Sequence, residues 1–300
     1  MAFDCSDILQ CPNCQNTITL GNNEFNCTGC GKSFPIKKGI PRFVESEAYA
    51  ASFGFEWKLH RVTQLDNAQS NLSEQTFAEK TGLTPEEVKG KLVLDVGCGM
   101  GRFADVVSRW DGTVVAIDLS TAVEAAYDNL KSRDNVAVLQ SDVFHLPFKE
   151  KTFDIIYSIG VLHHTSDCER AFRTLPKFLK PGGKIVIWLY DRNIVWGRFA
   201  QAYWKITRRM NPKVLHSFCK LAGPLYYVTK LPFVGKFFWR LVPIDTNPDW
   251  NWRILDTFDW YSARYRSWHT YEQVQHWFES EGLVDIRHLP VPVSISGERL

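Results

Sequence analysis

The sequence predicts an α/β chain built on a doubly wound, mostly parallel sheet of seven strands, with a small cysteine-rich module in front of it. Three observations lead there. Short apolar runs alternate with helical spacing from Leu92 onward, a pattern that folds into parallel strands with helices on both faces. The first run ends in an acid and three alternate glycines, Asp95-Val-Gly97-Cys98-Gly99-Met-Gly101. That turn lets a ligand approach the backbone at a strand's carboxyl end. Two Cys-x-x-Cys pairs stand within the first 30 residues. Three hundred residues, 45% of them hydrophobic, hold one full domain plus a small module.

Residues 1–45 carry Cys11-Pro-Asn-Cys14 and Cys27-Thr-Gly-Cys30, while Cys5, Cys98, Cys168 and Cys219 are scattered. Two such pairs suit a tetrahedral Zn²⁺ held by four thiolates, a closed and therefore structural site. Disulfides or a redox pair are the competing reading. A reducing compartment disfavours the first, and a redox pair has no use for a second copy. Residues 46–90 hold three aromatics in Phe53-Gly-Phe-Glu-Trp57 and read as a helical lid or as a plain linker. Thr84-Pro-Glu-Glu87 has the cap, proline and glutamate of a helix start, and Gly90 stops it.

From residue 91 the strands are expected near 92–96, 113–117, 136–140, 153–158 and 184–190, with helices near 101–110, 120–131 and 167–180. A capping box at Thr270-Tyr-Glu-Gln273 opens a helix to Glu281, and strands around Leu283–His288 and Val291–Ile295 close the sheet. Seventeen residues after Gly101, Val114-Val-Ala-Ile-Asp118 ends a second apolar run in an acid, which suits the two hydroxyls of a ribose. A dinucleotide fingerprint would put its third glycine at position 102, where this chain has Arg102. Asp95 just upstream is poorly placed for a pyrophosphate and well placed for a cationic, amine-bearing ligand. S-adenosylmethionine has those properties and no phosphate.

On these residues the chain resembles the class I S-adenosylmethionine-dependent methyltransferases, particularly the branch that includes quinone-type C-methyltransferases. The likeness continues in order through Val138-Leu-Gln-Ser-Asp142-Val-Phe-His-Leu-Pro-Phe148, Phe153-Asp-Ile-Ile-Tyr-Ser158, His163-His164 and Leu179-Lys-Pro-Gly-Gly-Lys-Ile-Val-Ile-Trp188. It covers Lys91 to Tyr190 and resumes from His269 to Val293. It implies a Rossmann-like fold and a donor site. The backbone at Gly97, Cys98, Gly99 and Gly101 would line it, with Asp95 near the methionine amine and Asp118 on the ribose. Asp142 would hold the adenine amine, Leu119 and Val143 would flank the ring, and Ser158 would touch the methionine end. Arg102 could screen Asp95 or bind the donor carboxylate. His163 and His164 fall where the family places acceptor-facing residues; they could act as a base or only cap the next helix. Tyr190 and His269 are weaker choices. The segment Ser33–Phe43 resembles zinc ribbons found before some methyltransferase domains.

An insert at 191–260 interrupts the likeness. From 194 to 244 it has nine basic residues and no acid, leaving 26 basic against 33 acidic residues elsewhere. Eleven aromatics are mixed in, among them Trp196, Phe233 and Trp239. Three readings compete: a membrane-interface surface or lipid-like substrate site, an ordinary lid with an aromatic core, and an RNA-stacking surface. The aliphatics interleaved with the aromatics weigh against RNA. Asp249-Trp-Asn-Trp252 and Asp256-Thr-Phe-Asp-Trp260 could wall the acceptor pocket or pack beneath the lid. The net charge of +2 excludes a general polyanion binder. With no basic-then-apolar leader and no apolar run of about 18 residues, a cytoplasmic protein is expected, peripheral at the inner membrane face if the insert touches lipid. The expected function is methyl transfer to a small, hydrophobic or lipid-linked acceptor at carbon or oxygen. An RNA methyltransferase is the alternative, and a non-catalytic donor-binding partner ranks last.

Overall fold

The protein, seen in a computed structural model, is described at residues 3–46, 48–67, 69–193 and 198–300. Two sheets organise it. The N-terminal one is antiparallel: β1 (Ile18–Leu20), β2 (Glu24–Cys27), β3 (Ser33–Lys37) and β4 (Ile40–Pro41). The larger contains β5 (Leu92–Val96), β6 (Thr113–Asp118), β7 (Val136–Gln140), β8 (Phe153–Ile159), β9 (Leu179–Trp188), β10 (Leu283–His288) and β11 (Ser294–Arg299). Its order is β10-β11-β9-β8-β5-β6-β7. The strands from β5 to β9 pair in parallel, and β11 runs antiparallel between β9 and β10. Strand Val136–Gln140 is buried at every position because both its faces are covered, one by the helix Val123–Leu130 and the other by the phenylalanines of the cysteine module. The chain order reverses on either side of β5, and ligands of doubly wound sheets bind outside the strands' carboxyl ends at such a switch point.

Helices α1 (Ala51–Leu59), α2 (Leu72–Thr81) and α3 (Pro85–Val88) precede the sheet. Thr84 and Glu87 form both halves of the capping box on α3. Next come α4 (Arg102–Arg109), α5 (Val123–Leu130) and α6 (Cys168–Arg173). The expected helix 167–180 is shorter: α6 ends at Arg173, a 3₁₀ turn takes Pro176–Phe178, and β9 starts at Leu179. Pro176 has no N–H for the helical ladder and restricts the residue before it. Strand β9 accordingly leaves Tyr190 two residues beyond its end. The last strand runs Ser294–Arg299 instead of Val291–Ile295, since Pro290 and Pro292 cannot donate to a ladder.

The insert forms α7 (Arg198–Thr207), α8 (Pro212–Ala222), α9 (Leu225–Thr229), α10 (Val234–Leu241) and α11 (Trp250–Ser262), ahead of α12 (Tyr271–Ser280). Trp196 and its neighbours at 194–197 lie outside the described residues. Leu215 and Cys219 of α8 bury against Ile254, Phe258 and Tyr261 of α11. Among the described residues no helix is long and apolar enough to cross a membrane.

The cysteine module docks on the free edge of the large sheet. Phe43 N–H donates to the Gln140 carbonyl of β7 at 2.8 Å, and Lys149 N–H donates to the Ile8 carbonyl at 2.9 Å. Buried Arg42 adds a 2.9 Å bond to the Gln140 side chain. Phe25, Phe34 and Phe43 share one core with Leu139, Val143 and Phe148. An edge strand that would otherwise template pairing is thereby covered.

Candidate functional site

A cavity of about 1150 Å³ opens at the carboxyl ends of the central strands. Its floor is the glycine turn after β5. Gly97 and Cys98 N–H both donate to the Ile117 carbonyl at 2.8 Å, and Gly101 N–H donates to the Cys98 carbonyl. Gly99 N–H donates to Asp118 Oδ2 at 3.0 Å. These four amides are spent on β6 and on the turn itself, whereas a pyrophosphate needs such amides pointing at it. The backbone shape also demands glycine: Gly97 sits at φ +86°, and a Cβ there would lie 2.3 Å from the Val161 side chain.

Of the expected donor residues, Gly97, Cys98, Gly99, Asp118, Leu119, Asp142 and Val143 line this one cavity. Asp118 Oδ1 accepts from the Ser120 amide and hydroxyl at 2.8 and 2.7 Å. Asp142 Oδ1 accepts from Phe144 N–H at 3.0 Å, which holds the carboxylate at the end of β7. Burial pushes the Cys98 thiol well above its usual range, so it is inert as a nucleophile.

Three expected donor residues stand behind the lining. Asp95 is 3% exposed; burial pushes its carboxyl up to about 8 against the opposing Tyr157 hydroxyl, with Asp118 adding repulsion. That hydroxyl lies beside Asp95 without reaching hydrogen-bond geometry. Gly101 serves packing: a Cβ there would meet Leu130 Cδ1 of α5 at 2.6 Å. Ser158 is wholly buried and donates to the Val96 carbonyl at 2.9 Å, tying β8 to β5.

The histidines divide in the same way. His164 lines the cavity. Its Nδ1 meets the Tyr265 carbonyl at 3.1 Å; a carbonyl only accepts, so Nδ1 carries the proton and Nε2 keeps its lone pair. Burial holds the ring below its ordinary pKa. His163 is outside the lining, stacked 3.8 Å from the Tyr190 ring, with neither ring nitrogen hydrogen-bonded. Tyr190 lines the cavity, and its hydroxyl donates to Asp259 Oδ2 at 3.4 Å. His269 is also outside the lining and bonds Ser267 Oγ at 2.8 Å.

Further residues complete the wall, Glu56 and Lys80 among them not foreseen from the sequence. Glu56, on α1, is 1% exposed and faces the cavity, and neither carboxyl oxygen has a hydrogen-bond partner. Burial, then the Asp259 and Asp256 charges, pushes it well above the usual carboxylate range. Asp256 is raised to about 7, chiefly by burial; Trp252 Nε1 donates to it at 3.0 Å. Lys80 Nζ lies 3.3 Å over the Trp188 ring, and burial lowers it to about 7. Arg102 fans onto Ser73, Gln64 and Thr76 at 2.9, 3.3 and 3.4 Å. Among the described residues it forms no ion pair with Asp95. Glu56 sits inside the aromatic cluster read as a lid, a usable signal; Lys80 gave none, because only the fold brings α2 beside β9.

In the cysteine module all four Sγ atoms, of Cys11, Cys14, Cys27 and Cys30, lie within 4.8 Å of one another. The Cys11–Cys30 and Cys14–Cys27 separations are 3.7 and 3.4 Å, close to the ~3.8 Å edge of a tetrahedron with Zn–S bonds of about 2.3 Å. Gly29 and Cys30 N–H donate to Cys27 Sγ, and Asn16 Nδ2 to Cys14 Sγ, as thiolate ligands require. The donor set fits zinc.

Residues 94–187 match the family described as a methyltransferase domain. Phosphoethanolamine N-methyltransferase 1 of Arabidopsis thaliana is 35% identical over 165 residues, 52% of this chain and 32% of that protein. Demethylmenaquinone methyltransferase of Thermobifida fusca is 31% identical over 148 residues, 46% of this chain and 63% of that one. A probable tRNA methyltransferase 9B of Bos taurus is 32% identical over 124 residues, 40% and 26% of the two. The chain thus spans less than two thirds of each of these relatives. The matched residues, 94–187, carry the glycine turn, Asp118 and Asp142, so the chain is similar to methyltransferase domains over the strands that floor the cavity.

Proposed function

We propose that the protein transfers the methyl group of S-adenosylmethionine to a small apolar or lipid-linked acceptor, at carbon or oxygen. The observation that carries this is the mixed lining of one cavity. The glycine turn, Asp118 and Asp142 line it. So do many aromatic side chains, with Phe53, Trp188, Phe199, Trp239 and Trp268 among its walls. When bound, S-adenosylmethionine supplies a methyl group already activated by its sulfonium, so the protein's main task is alignment. Asp118 suits the ribose hydroxyls, and Asp142 with Leu119 and Val143 suits the adenine. Arg102 and Lys80 are cations of the lining that suit a donor carboxylate. His164 offers Nε2 where an acceptor proton needs removal. Glu56, Asp256 and Asp259 await the acceptor's polar group.

Zinc on the four thiolates is proposed as structural, and a cytoplasmic site of action as the setting of this chemistry. An RNA acceptor is the second reading, favoured by the tRNA methyltransferase relative and by the cysteine module; the many aromatic walls of the cavity weigh against it. Calorimetry tests the donor: S-adenosylmethionine and its demethylated product should bind, and a nicotinamide dinucleotide should not. The reverse result refutes the assignment. Extracts incubated with isotopically labelled donor then show whether label enters the lipid-soluble or the RNA fraction.

A further inference from the structure

We infer that helices α8, α9 and α10 form a docking face for an anionic lipid bilayer, with the cavity opening at that face. Helix α8 is apolar on two sides. Leu215 and Cys219 face α11, while Val214, Phe218 and Leu221, spaced by four and three residues, point outward. Leu221 is 76% exposed and Tyr227 of α9 is 70% exposed. The turn into α10 displays Leu231, Phe233 and Val234, and Phe237 follows one turn later. Phe233 is fully exposed at φ +65°, a left-handed conformation that an aromatic residue adopts only when the surrounding chain imposes it. Half of the large apolar side chains exposed among the described residues belong to this segment. Exposed apolar surface gathered in this way marks an interaction site.

Charge selects the partner. Lys205, Arg209, Lys213, Lys220, Lys230, Lys236 and Arg240 are exposed around these side chains, and residues 198–244 contain no acid. Short helices with aromatic and aliphatic side chains on one face and flanking cations lie in the plane of a membrane interface. Val214, Leu221, Leu231 and Val234 cannot stack on bases, so the face is ill suited to single-stranded RNA. Phe199 and Arg240 both line the cavity and reach solvent, which makes the cavity rim continuous with the face. This inference rests on the proposed function only for what enters through that rim: an acceptor held in the bilayer.

The test is sedimentation of the full chain with vesicles of phosphatidylcholine alone and with phosphatidylglycerol added, at low and high salt. Binding is expected only with the anionic lipid, with a part that survives high salt. Phe233→Ser with Phe237→Ser should abolish the salt-resistant part. Lys213→Glu with Lys236→Glu should weaken binding by at least about 25-fold, near fivefold for each cation lost. Neither pair touches the cavity lining, so donor binding by calorimetry and the melting midpoint should stay unchanged. No binding to anionic vesicles, serine variants that bind like the parent, or steeply salt-dependent capture of mixed RNA in place of vesicles would overturn the inference. Donor binding read in the same samples keeps that failure separate from a failure of the methyltransferase assignment.

Discussion

Asp118 closes the glycine turn with one oxygen and holds Ser120 with the other, so the group suited to the ribose also fixes the backbone beneath it. Asp118→Ala removes both contacts. Donor affinity should fall about 10- to 100-fold, the worth of one or two charged hydrogen bonds, as read by calorimetry; an unchanged affinity would remove Asp118 from the site. Asp95 has a different signature. Its folded pKa, about 8, lies above its unfolded value of about 3.9. The ligand-free fold keeps a proton that the unfolded chain has lost. Its stabilising contribution is therefore complete below about pH 4 and is lost as pH rises towards 8. Asp256, raised to about 7, acts in the same direction. Lys80, lowered to about 7, adds stability as pH rises from there towards 10. Melting midpoints should fall between pH 5 and 8 without ligand, and Asp95→Asn should flatten that slope. A slope identical to that of the parent protein would show that Asp95 ionises normally.

At the scale of elements, the site depends on helices and turns that leave almost no room. Gly97 abuts Val161, two residues beyond the end of β8. Gly97→Ala brings both a steric overlap and a forbidden backbone angle, and should cost about 1–3 kcal/mol while abolishing donor binding. A thermal melt and a titration on the same sample check both. Helix α1 brings Phe53, Glu56 and Trp57 over the same turn; Trp57 Nε1 would lie 3.2 Å from a Cβ on Gly99. Glu56→Gln keeps the shape and removes the ionisable group. The melting midpoint should hold or rise, and methyl transfer to the accepted substrate should fall at saturating donor. Full activity would place the acceptor elsewhere.

The whole molecule is tied together by the cysteine module. Its phenylalanines share a core with β7 and with the segment that follows it, and its backbone bonds to Gln140, Pro147 and Lys149. Removing zinc by chelation, or Cys14→Ser, should therefore lower the melting midpoint of the methyltransferase domain itself, in one transition. Two separate transitions, with the upper one unmoved, would show that the module folds alone.

The glycine turn, Asp118, Asp142 and the order of strands β5 to β9 were legible in the sequence, because short-range patterns specify them: apolar runs, an acid at each strand end, glycines where φ is positive. The thiolate spacing was legible for the same reason. The ends of α6 and β11 were misplaced where prolines outweighed periodicity. Only the tertiary structure separated His164, which lines the cavity, from His163, which does not, although their rings lie 4.3 Å apart and both contact Tyr190. It alone put Glu56 and Lys80 into the cavity with Asp256, since these residues are 24 to 200 positions apart along the chain and burial, which shifts all three pKa values, is a property of neighbours that sequence spacing does not encode.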